Sequence, residues 1–204
     1  MTKRLAGIDI GTLTCRLLIA DLPDNTCLNE LCSERRILRL GEGVDQSKRL
    51  RHEAADRVIQ CLKEWRATIE SYRVDAQVVV ATSAVRDAAN RQEFLNRVRS
   101  EAGFEVEILS GDEEARRTML GIRSGLPGDI KDVLALDIGG GSTEFIVAQH
   151  GQPPVVQGPS STMPVVVVSW LPLIVVRLKS IAVITPLVKI GVPSRRTNKE
   201  PRNG

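Results

Sequence analysis

Apolar residues recur along this chain in three patterns: short runs, one long helical stripe, and a Val-rich end. Leu5 to Ile10 is a short apolar strand, Thr14 to Asp21 a second, and the residues between them form a tight turn. Asp24-Asn25 marks the next turn, and Cys27 to Leu40 reads as a third, partly polar strand. Three consecutive strands with short links predict an antiparallel meander. Ala55, Val58, Leu62, Trp65, Ile69 and Tyr72 then recur at steps of three and four. That spacing predicts a helix over 51–72 with one face in a core. Gln77 to Ala81 is a Val-rich buried strand. Asn90, with Glu93 three residues on, spells a capping box that opens a helix to Ala102, and Gly103 stops it. Phe104 to Leu109 reads as a strand, Ser110 to Ile122 as a helix, and Gly125-Leu-Pro-Gly128 as a linker. Val133 to Leu136 and Glu144 to Ala148 are two more strands around a glycine-rich turn.

Strands that alternate with helices after a meander predict an α/β layer fold with a mixed sheet. The order also contains an echo. Ile8-Asp9-Ile10-Gly11-Thr12 and Leu136-Asp137-Ile138-Gly139 with Ser142-Thr143 each read strand, Asp, glycine turn, hydroxyl, strand. Two such hairpins, each opening an α/β unit, imply two related domains that face one phosphate chain.

Composition narrows the partners. A charged fraction of 26% and a hydrophobic fraction of 42% describe a globular chain with room for a core. The net charge of +3 is too small to imply DNA or RNA. Residues 1–144 hold 21 Lys and Arg against 24 Asp and Glu, whereas residues 145–204 hold 7 against Glu200 alone. The basic excess therefore lies outside the part that carries motifs. Cys15, Cys27, Cys32 and Cys61 show no C-x-x-C pairing, and His52 and His150 are isolated, so a zinc site is not expected. Scattered cysteines and an N-terminus whose apolar run is broken at Asp9 imply reduced thiols, no signal peptide and a cytoplasmic setting.

The glycine-rich turn is where chemistry enters. Glycines let backbone N–H groups approach an anion, and a neighbouring Asp can organise its cation. Gly-Gly-Gly is also ordinary hairpin chemistry, and Thr12 and Thr14 can serve the turn alone. Farther back, Ser110 and Glu113 spell a second capping box, which gives Glu113 a structural task and leaves Glu114 to face a cleft.

Five blocks then occur in order: Gly7-Ile-Asp-Ile-Gly-Thr12, Arg39-Leu-Gly-Glu-Gly-Val-Asp45, Ala81-Thr-Ser-Ala-Val-Arg-Asp-Ala-Ala-Asn90, Ile108-Leu-Ser-Gly-Asp-Glu-Glu-Ala115 and Leu136-Asp-Ile-Gly-Gly-Gly-Ser-Thr-Glu144. Over residues 5–150 the chain resembles the exopolyphosphatase/guanosine pentaphosphate phosphohydrolase (Ppx/GppA) family of the actin/hexokinase/Hsp70 ATPase superfamily. The resemblance implies a complete RNase H-like α/β domain at 1–124 and the start of a second at 125–157. It also implies Mg²⁺-assisted hydrolysis of a terminal phosphoanhydride in polyphosphate or pppGpp, in a cleft between the two domains. By matching position, Asp9 and Asp137 would organise Mg²⁺ and the attacking water, and Glu114 would be the general base. Gly11, Thr12, Thr14, Arg86, Gly139, Gly140, Gly141 and Ser142 would bind phosphate. Full-length members are expected to be dimers, with no membrane or nucleic-acid partner. Leu13 departs from the family, which commonly has Asn there.

The resemblance ends near Gln157. Residues 158–204 read as an atypical Val/Pro-rich basic tail in which Pro164, Pro172 and Pro186 interrupt the apolar runs. Those runs fall short of the ~20 residues a membrane helix needs. The expectation is an aberrant end on a truncated product that leaves the second domain with its first hairpin and little more. Alternative readings are a module that binds polyphosphate or a guanosine polyphosphate without turnover, an inactive truncated product, and an ATP-using sugar kinase or actin-like relative.

Overall fold

A computed structural model describes residues 2–23, 28–124 and 126, together with five strands within 133–186; in those strands side chains are described at 133–135 and 146–147. The elements follow the expected order. Strands β1 (Lys3–Ile10), β2 (Thr14–Leu22) and β3 (Asn29–Ile37) form the meander, and helix α1 (Val44–Ser47) and the long helix α2 (His52–Ser71) follow. Next come β4 (Ala76–Ala81), α3 (Ser83–Arg86), α4 (Arg91–Arg97) with a π-helical turn at Val98–Ala102, β5 (Glu107–Ile108) and α5 (Gly111–Ser124). The strands β6 (Val133–Ile138), β7 (Thr143–Ala148), β8 (Val155–Gln157), β9 (Leu173–Leu178) and β10 (Ile181–Pro186) complete the list.

The first sheet runs β3-β2-β1-β4-β5, with β4 parallel to β1 as the α2 crossover requires. Period-two alternation sends Ala6, Ile8 and Ile10 of β1, and Cys15, Leu17 and Ile19 of β2, to one face. Ala55, Val58, Leu62, Trp65 and Ile69 of α2 cover that face in one core. Trp65 is fully enclosed, and its indole N–H donates to the Glu34 carboxylate at 2.9 Å. Cys15, Cys32 and Cys61 are free thiols, and burial pushes the Cys61 thiol up to about 11.

Three local expectations are corrected. The third strand stops at Ile37, because the Leu38 and Arg39 amides both turn to the Leu13 carbonyl and Arg39 adopts φ +53°. The fifth strand shrinks to Glu107–Ile108; upstream of it, Phe104 is buried beneath the Arg66 guanidinium, 4.1 Å from its ring centre. The Asn90–Glu93 capping box does not form. The Asn90 side chain instead accepts from the Leu50 amide at 2.8 Å and donates to the Leu50 carbonyl at 3.0 Å. Gly103 does end the helical stretch, with φ +70°. The turn at Asp24-Asn25, Cys27 and most of the 125–128 linker lie outside the described residues.

A second five-stranded sheet runs β10-β9-β6-β7-β8, with β6 and β7 as the expected antiparallel hairpin. Its first four strands repeat the first sheet's order: hairpin, outer antiparallel strand, then a parallel neighbour on the far side of the first strand. The sequence anticipated little beyond the hairpin, yet the tail supplies both β9 and β10. Only Lys179 and Ser180 separate these two, so they must pair antiparallel, where the helical crossover before β5 gives a parallel strand. Helix α5 lies against this sheet: Ala115 and Met119 pack with Val133, Ala135 and Ile146.

Candidate active site

The site begins where β1 ends. Ile10 points into the core, so its neighbour Asp9 takes the opposite sheet face. The turn behind Asp9 is closed by the Gly11 amide donating to the Thr14 carbonyl at 3.0 Å. Thr12 is tied down on two sides. Its hydroxyl lies 2.8 Å from that of Ser83, and its carbonyl accepts the Gly41 amide at 2.9 Å. A Cβ on Gly41 would stand 2.3 Å from the Thr12 methyl, so this position admits only glycine without rearrangement. Two sequence blocks, Gly7–Thr12 and Arg39–Asp45, thereby become one piece of structure. The Ala81–Asn90 block adds Ser83, and the Thr82 amide caps β1 by donating to the Ile10 carbonyl at 3.3 Å.

Helix α5 supplies the facing wall. Glu114, Arg117, Thr118 and Gly121 recur at i, i+3, i+4 and i+7 and share one face, while Ala115 and Met119 share another. The first face meets Asp9, Gly11, Thr14, Arg16 and Thr82 around a cavity of about 240 Å³. One helix thus presents polar groups to the first sheet's cavity and an apolar stripe to the second sheet.

The two acids that open α5 have different tasks. The Glu113 amide donates to the Ser110 hydroxyl at 3.2 Å, which is the N-cap half of the expected box. The Glu113 carboxylate does not reach back to close it. Hydrogen bonds from Arg116 and then Arg117 hold that carboxyl down to about 2. Arg117 also reaches Glu107 of β5 at 2.7 Å, which pins the helix to the sheet. Glu114, one residue on, lines the cavity and is approached by Arg86 Nη1 at 3.3 Å.

Of the expected site residues, Asp9, Gly11, Thr14 and Glu114 therefore come together on one cavity. Thr12 sits behind the turn against Ser83, and Arg86 stands beside Glu114, bonded also to the Leu109 carbonyl at 2.9 Å and 3.5 Å from Asp87. Asp137 is the next-to-last residue of β6, as Asp9 is of β1. In register, Asp9 lies between Arg16 and Val80, and Asp137 between Glu144 and Arg177. Gly139, Gly140, Gly141 and Ser142 lie outside the described residues.

Arg16, Thr82, Arg117 and Thr118 were missed. Period-two counting from Thr14, together with the tight β1–β2 turn, would have set Arg16 opposite Asp9, as the register does. Helical spacing from Glu114 would have found Arg117 and Thr118. Thr82, a buried polar residue, stands inside the Ala81–Asn90 block, where the sequence reading gave a role to Arg86 alone.

Among the described residues no group of three or more His, Cys, Asp or Glu gathers as a metal cage. The donor set still fits a hard cation that keeps most of its waters and takes one or two carboxylates, as Mg²⁺ does, since the Asp9 carboxylate lines the cavity. No helix of the described residues is long and apolar enough to cross a membrane.

Comparison with known proteins agrees with this layout. The sequence profile of the Ppx/GppA phosphatase family matches residues 18–162. The bifunctional 3-dehydroquinate synthase/phosphatase of Fusobacterium nucleatum is 42% identical over 147 residues, covering 69% of this chain and 22% of that protein. Exopolyphosphatase 1 of Mycobacterium tuberculosis is 37% identical over 141 residues, covering 69% of this chain and 41% of that protein. The crystal structure of the Aquifex aeolicus Ppx/GppA family member superposes with a TM-score of 0.68 at 34% identity, covering 78% of this chain and 51% of that one. The chain thus spans about half, or less, of the length of these relatives. The ordered blocks, the doubled hairpin and the profile match lead to one assignment: the chain belongs to the Ppx/GppA phosphatase family.

Proposed function

We propose that this chain hydrolyses the terminal phosphoanhydride bond of inorganic polyphosphate or pppGpp, with Mg²⁺ as the required cation. The observation that carries the reading is the cavity where the Asp9 carboxylate and the Gly11–Thr14 turn face Glu114. Hydrolysis of such a bond passes through a loose transition state, so it depends on positioning and charge stabilisation. Glu114 orients and deprotonates the attacking water, for which it needs only to stand one hydrogen bond away. Arg86 braces Glu114 and has further guanidinium donors for a phosphate oxygen, a fork geometry suited to that group. Thr14 offers a hydroxyl donor at the first turn, which Thr12 braces from behind through Ser83. The second turn, Gly139, Gly140, Gly141 and Ser142, holds the phosphate from the other hairpin. Asp9 and Asp137 would hold Mg²⁺, which would neutralise phosphate charge when bound.

Release of orthophosphate from polyphosphate and from pppGpp, with Mg²⁺ and after chelation by EDTA, tests the proposal. Release that EDTA abolishes is the expected result, and the ratio of the two rates names the preferred substrate. Tight binding of either compound with no release would instead identify a holding module.

A further inference from the structure

Helix α5 carries a glycine on the face it turns to the cavity. Gly121 lies three residues before the helix ends, and only proline is a poorer helix former than glycine. A glycine inside a helix calls for a reason, commonly close packing or a special backbone angle. Neither applies among the described residues. Gly121 is not in the left-handed region, and a Cβ there would meet nothing within 4 Å. What remains is the cavity that Gly121 lines.

The bare position stands at the far end from the reacting groups. Glu114 and Gly121 are seven residues apart, ~10 Å along the helix. Arg86 joins Glu114 to the Leu109 carbonyl, whereas Arg117, one turn on, meets Glu107, so α5 descends the sheet as it leaves Glu114. One step below Asp9 on the same sheet face, register sets Gly7 between Val78 and Leu18, and both apolar side chains are exposed. In-line displacement puts the leaving oxygen across the terminal phosphate from the water that Glu114 holds. The rest of the substrate therefore extends away from Glu114, and the cavity offers it room toward Gly121. Gly121 also opens the last turn of α5, where the helix dipole disfavours anions. An uncharged group suits this end better than another phosphate. We propose that the bare Gly121 position admits the nucleoside of a nucleoside polyphosphate, with its base against Val80 and Val78. The inference rests on the phosphoanhydride reading and selects pppGpp over polyphosphate as the substrate that this cavity is shaped for.

Phosphate release from pppGpp and from long-chain polyphosphate, measured with Mg²⁺ on the native chain, Gly121→Ala and Gly121→Leu, tests this. Gly121→Ala should raise the melting temperature by about 2–4 °C, because the helix gains a better former and nothing blocks the methyl. The ratio of kcat/KM for pppGpp to that for polyphosphate should fall with side-chain size. In Gly121→Leu it should fall about tenfold, through KM, as added bulk in a pocket allows. A hinge at Gly121 would instead lower kcat for both substrates, and equally in the two variants. That result, an unchanged ratio, or a native chain that hydrolyses polyphosphate and not pppGpp overturns the nucleoside site and leaves the hydrolase reading intact. Release from neither substrate by the native chain removes both.

Discussion

Arg86 Nη1 lies 3.3 Å from Glu114 Oε2, and the same nitrogen donates to the Leu109 carbonyl at 2.9 Å. Arg86 leaves the short helix α3, Leu109 precedes α5, and Glu114 stands on its first turn, so one guanidinium links three segments at the cavity's edge. The contact orients the carboxylate while leaving it on the cavity. Replacing Arg86 by Lys removes the planar fork, and a misplaced base costs about 10- to 100-fold in kcat. Steady-state kinetics on Arg86→Lys should show that loss, with the far-UV circular dichroism unchanged.

The approach of Gly41 to Thr12 gives a second prediction. A methyl group at position 41 must displace the Thr12 methyl, and overpacking of this kind destabilises by about 1–3 kcal/mol. Urea denaturation of Gly41→Ala should show that loss. In a Thr12→Ser background the interfering methyl is gone and the hydroxyl to Ser83 remains, so the same change should cost less there. Equal costs in the two backgrounds would mean the contact is not the cause.

Glu113 predicts a pH dependence. Arg116 and Arg117 lower its carboxyl from the ordinary 4.5 to about 2. A carboxyl lowered on folding adds stability above its unfolded value and loses it as pH falls through the folded one. Its contribution is therefore complete above pH 4.5 and is withdrawn between 4.5 and about 2. Thermal melts of the native chain and Glu113→Gln should differ at pH 7 and converge near pH 2. A gap that persists at pH 2 would show that the carboxylate's charge is not responsible.

How far the sequence revealed this structure depends on the range over which each signal acts. The α2 stripe and the β1–β2 alternation are periodic, and all three elements appear within two residues of their expected bounds. Asn90 went astray because its local spelling as a cap competes with a distant partner, the Leu50 backbone, that no window on the sequence contains. Arg16 was overlooked for a different reason: it belongs to no motif, and only pairing across the turn sets it opposite Asp9. The Ser110 cap and the helix face of Glu114 were legible, since both are local, whereas the Glu113 carboxylate turns to Arg116 and Arg117 instead of closing the box. The second sheet was legible as a hairpin alone. That β9 would lie parallel to β6 is a pairing across residues 139–172, with β7 and β8 between them, and a Val-rich run does not announce its partner.

The central claim is that Glu114 is the base and its neighbour Glu113 is structural. Phosphate release from polyphosphate with Mg²⁺, compared for the native chain, Glu114→Gln and Glu113→Gln, tests it most directly. Glu114→Gln should fall by about 100-fold or more in kcat, the range a general base contributes, while Glu113→Gln stays within a few-fold of native. Native turnover by Glu114→Gln, or equal losses in the two variants, would contradict the account.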